Sequence, residues 1–172
     1  SLVVAACAPL APPSGASRTP QGSARAQAAV THEYPSPPVA QSAAGGSATP
    51  EQAVIAYASA YINWTSTTIA GDMRALAASS VDQARSVATL AAAQTASDYE
   101  LQRGGIDNSG TVEAVAPLPG ERSRYVVVTQ ELTTATNTAA YQGLAPAWHV
   151  ALARVSELSP GHWVVSGWQP QS

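Results

Sequence analysis

Six side chains in this sequence are the candidates for a catalytic site: His149, Asp72, Asp98, Tyr57, Tyr61 and Trp148. General acid–base catalysis needs such groups within hydrogen-bond reach inside one pocket. The spacing does not bring them together by itself. Asp72 follows Gly71 at a helix start, where an acid is favoured by the helix dipole. Asp98 falls near the end of a helical stretch, on a solvated face. His149 lies in a strand and shares its face with Ala147, Ala151 and Ala153, the setting of an ordinary sheet histidine. His162 follows Pro160-Gly161 and reads as an exposed turn residue. No metal site is expected, because His32, His149 and His162 have no ligand spacing and the chain has one cysteine. No phosphate loop or nucleophile elbow occurs. Asn63-Trp64-Thr65 fits a glycosylation sequon but falls inside an expected helix. The reading is therefore of a protein without catalytic residues or cofactor.

The aromatic residues carry more information. Tyr57, Tyr61 and Trp64 follow one another at helical spacing, and Trp148, Trp163 and Trp168 belong to a closing strand pair. Phe is absent from the chain, so Tyr and Trp could simply fill the core. Together with His149 they could instead line a cleft or a partner surface. Trp163 and Trp168 are five positions apart, which by strand alternation puts them on opposite faces.

Cys7 is the only thiol. It ends Val4-Ala5-Ala6-Cys7, an aliphatic residue, two small residues and a cysteine, which resembles a bacterial lipobox. Small side chains give the processing enzymes access to the thiol that receives the lipid. The run 1–7 reads as the end of a secretory signal segment with its lipobox. Several acyl chains on Cys7 would anchor the protein to the cell membrane on its extracytoplasmic side, whereas one chain gives only marginal binding. The plainer alternative is a small buried hydrophobe.

Composition separates the rest into two parts. Residues 8–48 hold seven of the 13 prolines, four of the 12 glycines and only three charges, Arg18, Arg25 and Glu33. No helix or strand period occurs there, so a disordered Pro/Ala/Ser/Gly-rich tether is expected. All four Trp and five of the six Tyr follow Thr49. The folded domain is read as residues 49–172. The chain's eight basic residues, all Arg, are scattered against 11 acids, too few for a nucleic-acid footprint. No apolar stretch is long enough to span a membrane as a helix.

The elements that must position the aromatics follow from pattern. Thr49-Pro50-Glu51-Gln52 is a helix start with a cap, a proline at the first position and a capping box. Val54, Tyr57, Ala58, Tyr61, Ile62 and Thr65 continue a helical stripe to about Thr67. A second helix is predicted over Ala70–Ala78, with Met73 and Leu76 inward. Ser80-Val81-Asp82-Gln83 reads as another capping box, opening a third helix that Gly104-Gly105 end. Strands are predicted over Thr111–Ala116, Arg124–Thr133, Ala147–Glu157 and His162–Gln169. Helices first and strands after is an α+β fold, its helices packed on a curved four-stranded antiparallel sheet.

The strand YVVVTQELTT (125–134), followed by WHVALARV (148–155) and GHWVVSGWQP (161–170) behind a Tyr-rich helix, is similar to the cone-shaped nuclear-transport-factor-2-like superfamily. The likeness is to extracytoplasmic actinobacterial relatives, the Mce-associated proteins and the assembly factors of conjugation and type IV secretion machines. It covers about residues 50–170. It implies a protein-interaction or assembly domain of an envelope transport or conjugation apparatus, with envelope proteins as partners. Other members are isomerases or dehydratases, so a small-molecule site in the cone is the alternative. Many enzymatic members of the superfamily place a strand pair before their last helix, and no such pair is read here.

Overall fold

Thr49 sets the start of the first helix as its sequence requires: its hydroxyl accepts a hydrogen bond from Gln52 N at 3.2 Å, with Pro50 in the first turn. The computed structural model describes residues 39–171. Cys7, the signal segment and the tether up to residue 38 lie outside the described residues. Four helices, α1 (Pro50–Ile62), α2 (Ile69–Ala78), α3 (Asp82–Ala96) and α4 (Tyr99–Gly104), precede four strands. These are β1 (Ile106–Pro117), β2 (Arg124–Ala135), β3 (Ala147–Ser159) and β4 (His162–Gln171), with one 3-10 turn at Ala139–Tyr141. The strands form a four-stranded antiparallel sheet in the order β1-β2-β3-β4. The fold is α+β, as the pattern implied.

The core lies between the helices and one face of the sheet. Val54, Tyr57 and Ala58 of α1, Met73 and Leu76 of α2, and Ala84, Ala88 and Ala92 of α3 supply one side. Tyr125 and Val127 of β2, Ala151, Ala153 and Val155 of β3, and Val165 and Trp168 of β4 supply the other. Alanine on α3 lets that helix lie close to the sheet. The large rings of Tyr57 and Trp168 fill the volume that phenylalanine would otherwise occupy.

Several boundaries differ from expectation for identifiable reasons. α1 stops at Ile62 instead of near Thr67. Trp64 leaves the helix and pairs with β1, its N–H donating to Asn108 O and its carbonyl accepting from Asn108 N, both at 3.0 Å. Trp64 is therefore not one turn below Tyr61, and Asn63 is not inside a helix. Ser80 does not cap α3: its hydroxyl donates to Leu76 O at 2.8 Å, and Val81 takes the cap position without a side-chain bond. The third helix does not run to Gly104. It ends at Ala96, and Asp98 caps α4 by accepting from Leu101 N at 2.9 Å. Asp98 is thus a cap with an internal partner, not an acid on a solvated helix face. Gly105, with φ at 59°, closes α4 in the left-handed region. β1 begins five residues earlier than expected, at Ile106.

The chain joins the domain before Thr49. The compact unit starts at Ala40. Gln41 Oε1 accepts from Asp82 N at 2.7 Å, Ala44 N donates to Ala78 O at 2.8 Å, and Ser47 pairs in both directions with Trp163 at 2.9 Å. Residues 41–47, placed in the tether on composition, are strapped across the helices and onto β4. Polar linker composition did not reveal this because backbone groups make most of the bonds.

Candidate functional site

Tyr57, Tyr61 and Trp168 form one aromatic cluster on the inner face of the sheet. The Trp168 ring centroid lies 5.2 Å from Tyr57 and 5.3 Å from Tyr61, with the rings tilted by 50° and 54°. The two tyrosines stack at 6.4 Å. Trp163 and Trp64 are partly buried against the same core. The expected opposition of Trp163 and Trp168 is therefore wrong. Arg154 pairs with Gly167 and Val155 with Val165, so Ser166 is an extra residue in β4. This bulge resets the alternation and returns both tryptophans to one face. β1 does the same at Glu113, which brings Val112 and Val115 together on the core.

Burial raises the hydroxyl pKa of Tyr57 above the ordinary value, and neighbouring Tyr61 adds to this. Tyr61 is raised chiefly by burial as well; the Trp168 indole opposes the shift and the Glu131 carboxylate reinforces it. No hydrogen bond closes at the indole, and Trp168 Nε1 is buried without a partner among the described residues. Neither phenol is poised as a base at neutral pH.

Tyr61 and Trp168 also line a small cavity at the end of the sheet, about 190 Å³, together with Thr129, Glu131 and His149. His149 stands directly across from Thr129 in the β2–β3 register. Asp72 and Asp98 are not part of this lining. The acid present is Glu131, which sequence reading missed. The signal was available: Glu131 continues the inward alternation Tyr125, Val127, Thr129. Both of its oxygens are engaged. Oε1 accepts from Thr129 Oγ1 at 2.6 Å and Oε2 accepts from Asn108 Nδ2 at 2.9 Å. Asn108 in turn donates to Ile62 O at 2.7 Å and accepts from Thr133 Oγ1 at 2.9 Å. A carboxylate held this way ties α1, β1 and β2 together. The cavity is smaller than the roughly 300–1,000 Å³ of small-molecule sites.

Among the described residues, no helix packs on the other face of the sheet at β2 and β3. Trp148 and Val150 of β3 are 61% and 40% exposed. Val128 faces Val150 and Val126 faces Leu152 across the strands, while Gln130 faces Trp148. Val126, Val128 and Leu152 are half-buried. The result is an apolar stripe on the outer face with an exposed indole at one end. Exposed large apolar groups that adjoin one another are the usual mark of an interaction surface. Of the residues singled out in the sequence, the structure gathers Tyr57, Tyr61, Trp168, Trp163 and Trp64 around the core and places His149 at the cavity. Trp148 stands apart on the outer face.

The sheet edges offer less. On β4, Ser47, Val81 and Gln83 occupy successive backbone groups, and on β1 Trp64 and Asn63 do so. Edge groups used internally cannot template another strand. Among the described residues no group of three or more His, Cys, Asp or Glu is arranged to hold a metal, and no helix is long and apolar enough to cross a membrane. Compared with known proteins, the chain matches no family model and no curated protein.

Proposed function

We propose that this protein is a non-enzymatic extracytoplasmic lipoprotein whose domain docks another envelope protein through the outer face of its sheet. The observation that carries this reading is the exposed Trp148 at the end of the Val150, Val128, Leu152 and Val126 stripe. Aromatic anchors amid smaller apolar groups dominate binding energy at protein interfaces. The filled inner face and the doubly bonded Glu131 support an assembly role over the isomerase or dehydratase alternative. In this proposal the domain is a nuclear-transport-factor-2-like relative. The element order, helices and then an antiparallel meander, is the feature that supports it. The partner class, components of a transport or conjugation apparatus, rests on that likeness. Lipid on Cys7 would hold the protein at the membrane, and residues 8–40 would set its reach.

The test is site-directed photocrosslinking in membranes. A crosslinker at Trp148 is expected to trap a defined envelope protein, and Trp148→Glu is expected to abolish copurification of that protein. Trapping of the same species from a crosslinker on exposed Glu100 would overturn the outer face as the docking surface. Mass spectrometry of the mature N-terminus tests the anchor, and an unmodified peptide running through Ala6-Cys7 would overturn it.

A further inference from the structure

Residues 41–47 are held on the domain by hydrogen bonds and little else. Gln41 Oε1 accepts from Asp82 N at 2.7 Å, Arg85 Nη2 donates to Ser42 O, and Ala44 N donates to Ala78 O at 2.8 Å. Ser47 exchanges two backbone bonds of 2.9 Å with Trp163 on the β4 edge. Of these strap residues only Ala43 and Ser47 are half-buried, and the others are exposed. The strap buries no large apolar side chain. A segment held at the surface with so little apolar burial opens locally at a lower free energy than the core.

A crevice lies between the strap, the helices and β4. Its volume is about 170 Å³, and Ala53 and Tyr57 of α1, Leu76 of α2 and Trp163, Val164 and Val165 of β4 line it. An apolar cavity of about 150 Å³ accepts a benzene ring, so this crevice has room for an aliphatic side chain. Gly46 and Ser47 are the strap residues in its wall, and neither carries one. Position 46 is closed to a side chain, since a Cβ on Gly46 would run into the His162 ring. Position 47 is the one that pairs with Trp163 and borders the crevice. When an extended chain adds to a sheet edge, backbone bonds give affinity and side-chain pockets give specificity. The strap uses the first and leaves the second unused.

We propose that this groove on the β4 edge binds an extended segment of another protein, with an aliphatic side chain in the crevice, and that residues 41–47 are its displaceable placeholder. The fitting segment carries glycine at the position of Gly46 and an aliphatic residue at the next. The β4 edge is closed only while the strap is seated. The site is separate from the exposed Trp148 surface and does not depend on the docking reading.

Native-state hydrogen exchange of the full chain, labelled with nitrogen-15, is measured in rising urea. The amides of Ala44, Ser47 and Trp163 are expected to exchange through one local opening, well before Val127 in the core of β2. Ser47→Val should slow exchange at position 47 and at Trp163 by about tenfold, as burial of two methyl groups implies. Exchange of the strap only together with Val127 would overturn the placeholder, and unslowed exchange in Ser47→Val would overturn the aliphatic fit. Ala44→Pro removes the N–H bonded to Ala78 O and should loosen the strap with Val127 still protected. Loss of Val127 protection in that variant would make the strap part of the fold and overturn the proposal. A peptide of residues 40–49 with the Ser47→Val change is then titrated into Ala44→Pro. Saturable shifts at Trp163, Val164 and Val165 are expected, about tenfold tighter than with the unchanged peptide. Shifts that grow linearly, or equal affinity of the two peptides, would overturn the site.

Discussion

Gln83 pairs with the backbone of Trp168 as a neighbouring strand would. Its Oε1 accepts from Trp168 N at 2.7 Å and its Nε2 donates to Trp168 O at 3.1 Å. Asn63 does the same on the opposite edge, accepting from Gly110 N at 3.0 Å and donating to Gly110 O at 3.1 Å. A carboxamide has the donor and acceptor of a peptide group in one plane, so it can satisfy an edge residue without extending the sheet. The Gln83 pair sits beside the Ser166 bulge on β4, and the Asn63 pair sits at Gly110 of β1, which keeps regular register with Glu131. Gly110 has no room for a side chain there, since a Cβ would lie 2.5 Å from Gln130 O. Both sheet edges are thereby turned inward to the protein's own helices.

Removing the first of these pairs should be costly. Gln83→Ala leaves Trp168 N–H and C=O unpaired at a half-buried edge and releases the start of α3 from β4. A loss of about 1–3 kcal/mol is expected. Urea unfolding should show a lower midpoint at an unchanged slope. An unaltered midpoint would mean that water replaces the carboxamide without penalty.

Asn108 should be less tolerant still. It is buried and joins Ile62 O, Glu131 and Thr133 through three side-chain bonds. Asn108→Ala takes one of its two bonds from the Glu131 carboxylate, which keeps Thr129 Oγ1, and removes the side-chain donor of the Ile62 carbonyl. A destabilisation of about 3 kcal/mol is expected because one of the two weakened groups is charged. Adding Glu131→Gln to Asn108→Ala should recover part of it, since the second change removes the charge that has lost one of its two donors. Thermal unfolding of the single and double variants checks this, and no recovery in the double variant would assign the loss to packing alone.

These networks show what sequence pattern carries and what it does not. The Thr49 cap, the β-branched run of β2 and the helix stop at Gly104-Gly105 act locally, over a few residues, and were legible, although the pattern ran α3 and α4 together as one helix. Register irregularities were not. The odd spacing of Trp163 and Trp168 reads as two faces unless the bulge at Ser166 is known, and that bulge is set by pairing with Arg154 and Val155 on another strand. The end of α1 was missed because the competing interaction, Trp64 with Asn108, spans distant parts of the chain. The aromatic residues were found as a set. Their division into an inner cluster and an outer Trp148 depends on which face of β3 the helices cover. The inward small residues Ala151 and Ala153 encode that face only once α1 and α3 are seen packed against it.

Trp148 should matter for binding and little for stability. Its side chain is largely in water, so Trp148→Ala is expected to change unfolding free energy by no more than about 0.5 kcal/mol. The same change should lower affinity for the docked protein by tenfold or more if Trp148 is an interface anchor. Chemical denaturation and binding of the purified partner separate the two effects. A variant that loses stability and affinity in parallel would place Trp148 among the packing residues.

Alkali should weaken the fold through Tyr57 and Tyr61. Burial holds both hydroxyls above the usual tyrosine range in the folded state. Unfolded tyrosine ionises near pH 10. Below about that value both states keep the proton and the shift has no effect on stability. Above it the unfolded chain releases protons that the folded chain retains, so the unfolded state binds fewer and stability falls with rising pH. The slope is about 1.4 kcal/mol per pH unit for each tyrosine, until the raised folded value is reached. Tyr57→Phe removes one such group and loses only a long 3.5 Å hydrogen bond to Ala84 O. It should change stability little at neutral pH and make the fall above about pH 10 shallower. Urea midpoints measured across that range provide the check, and an identical slope in the variant would place the alkaline transition on other groups.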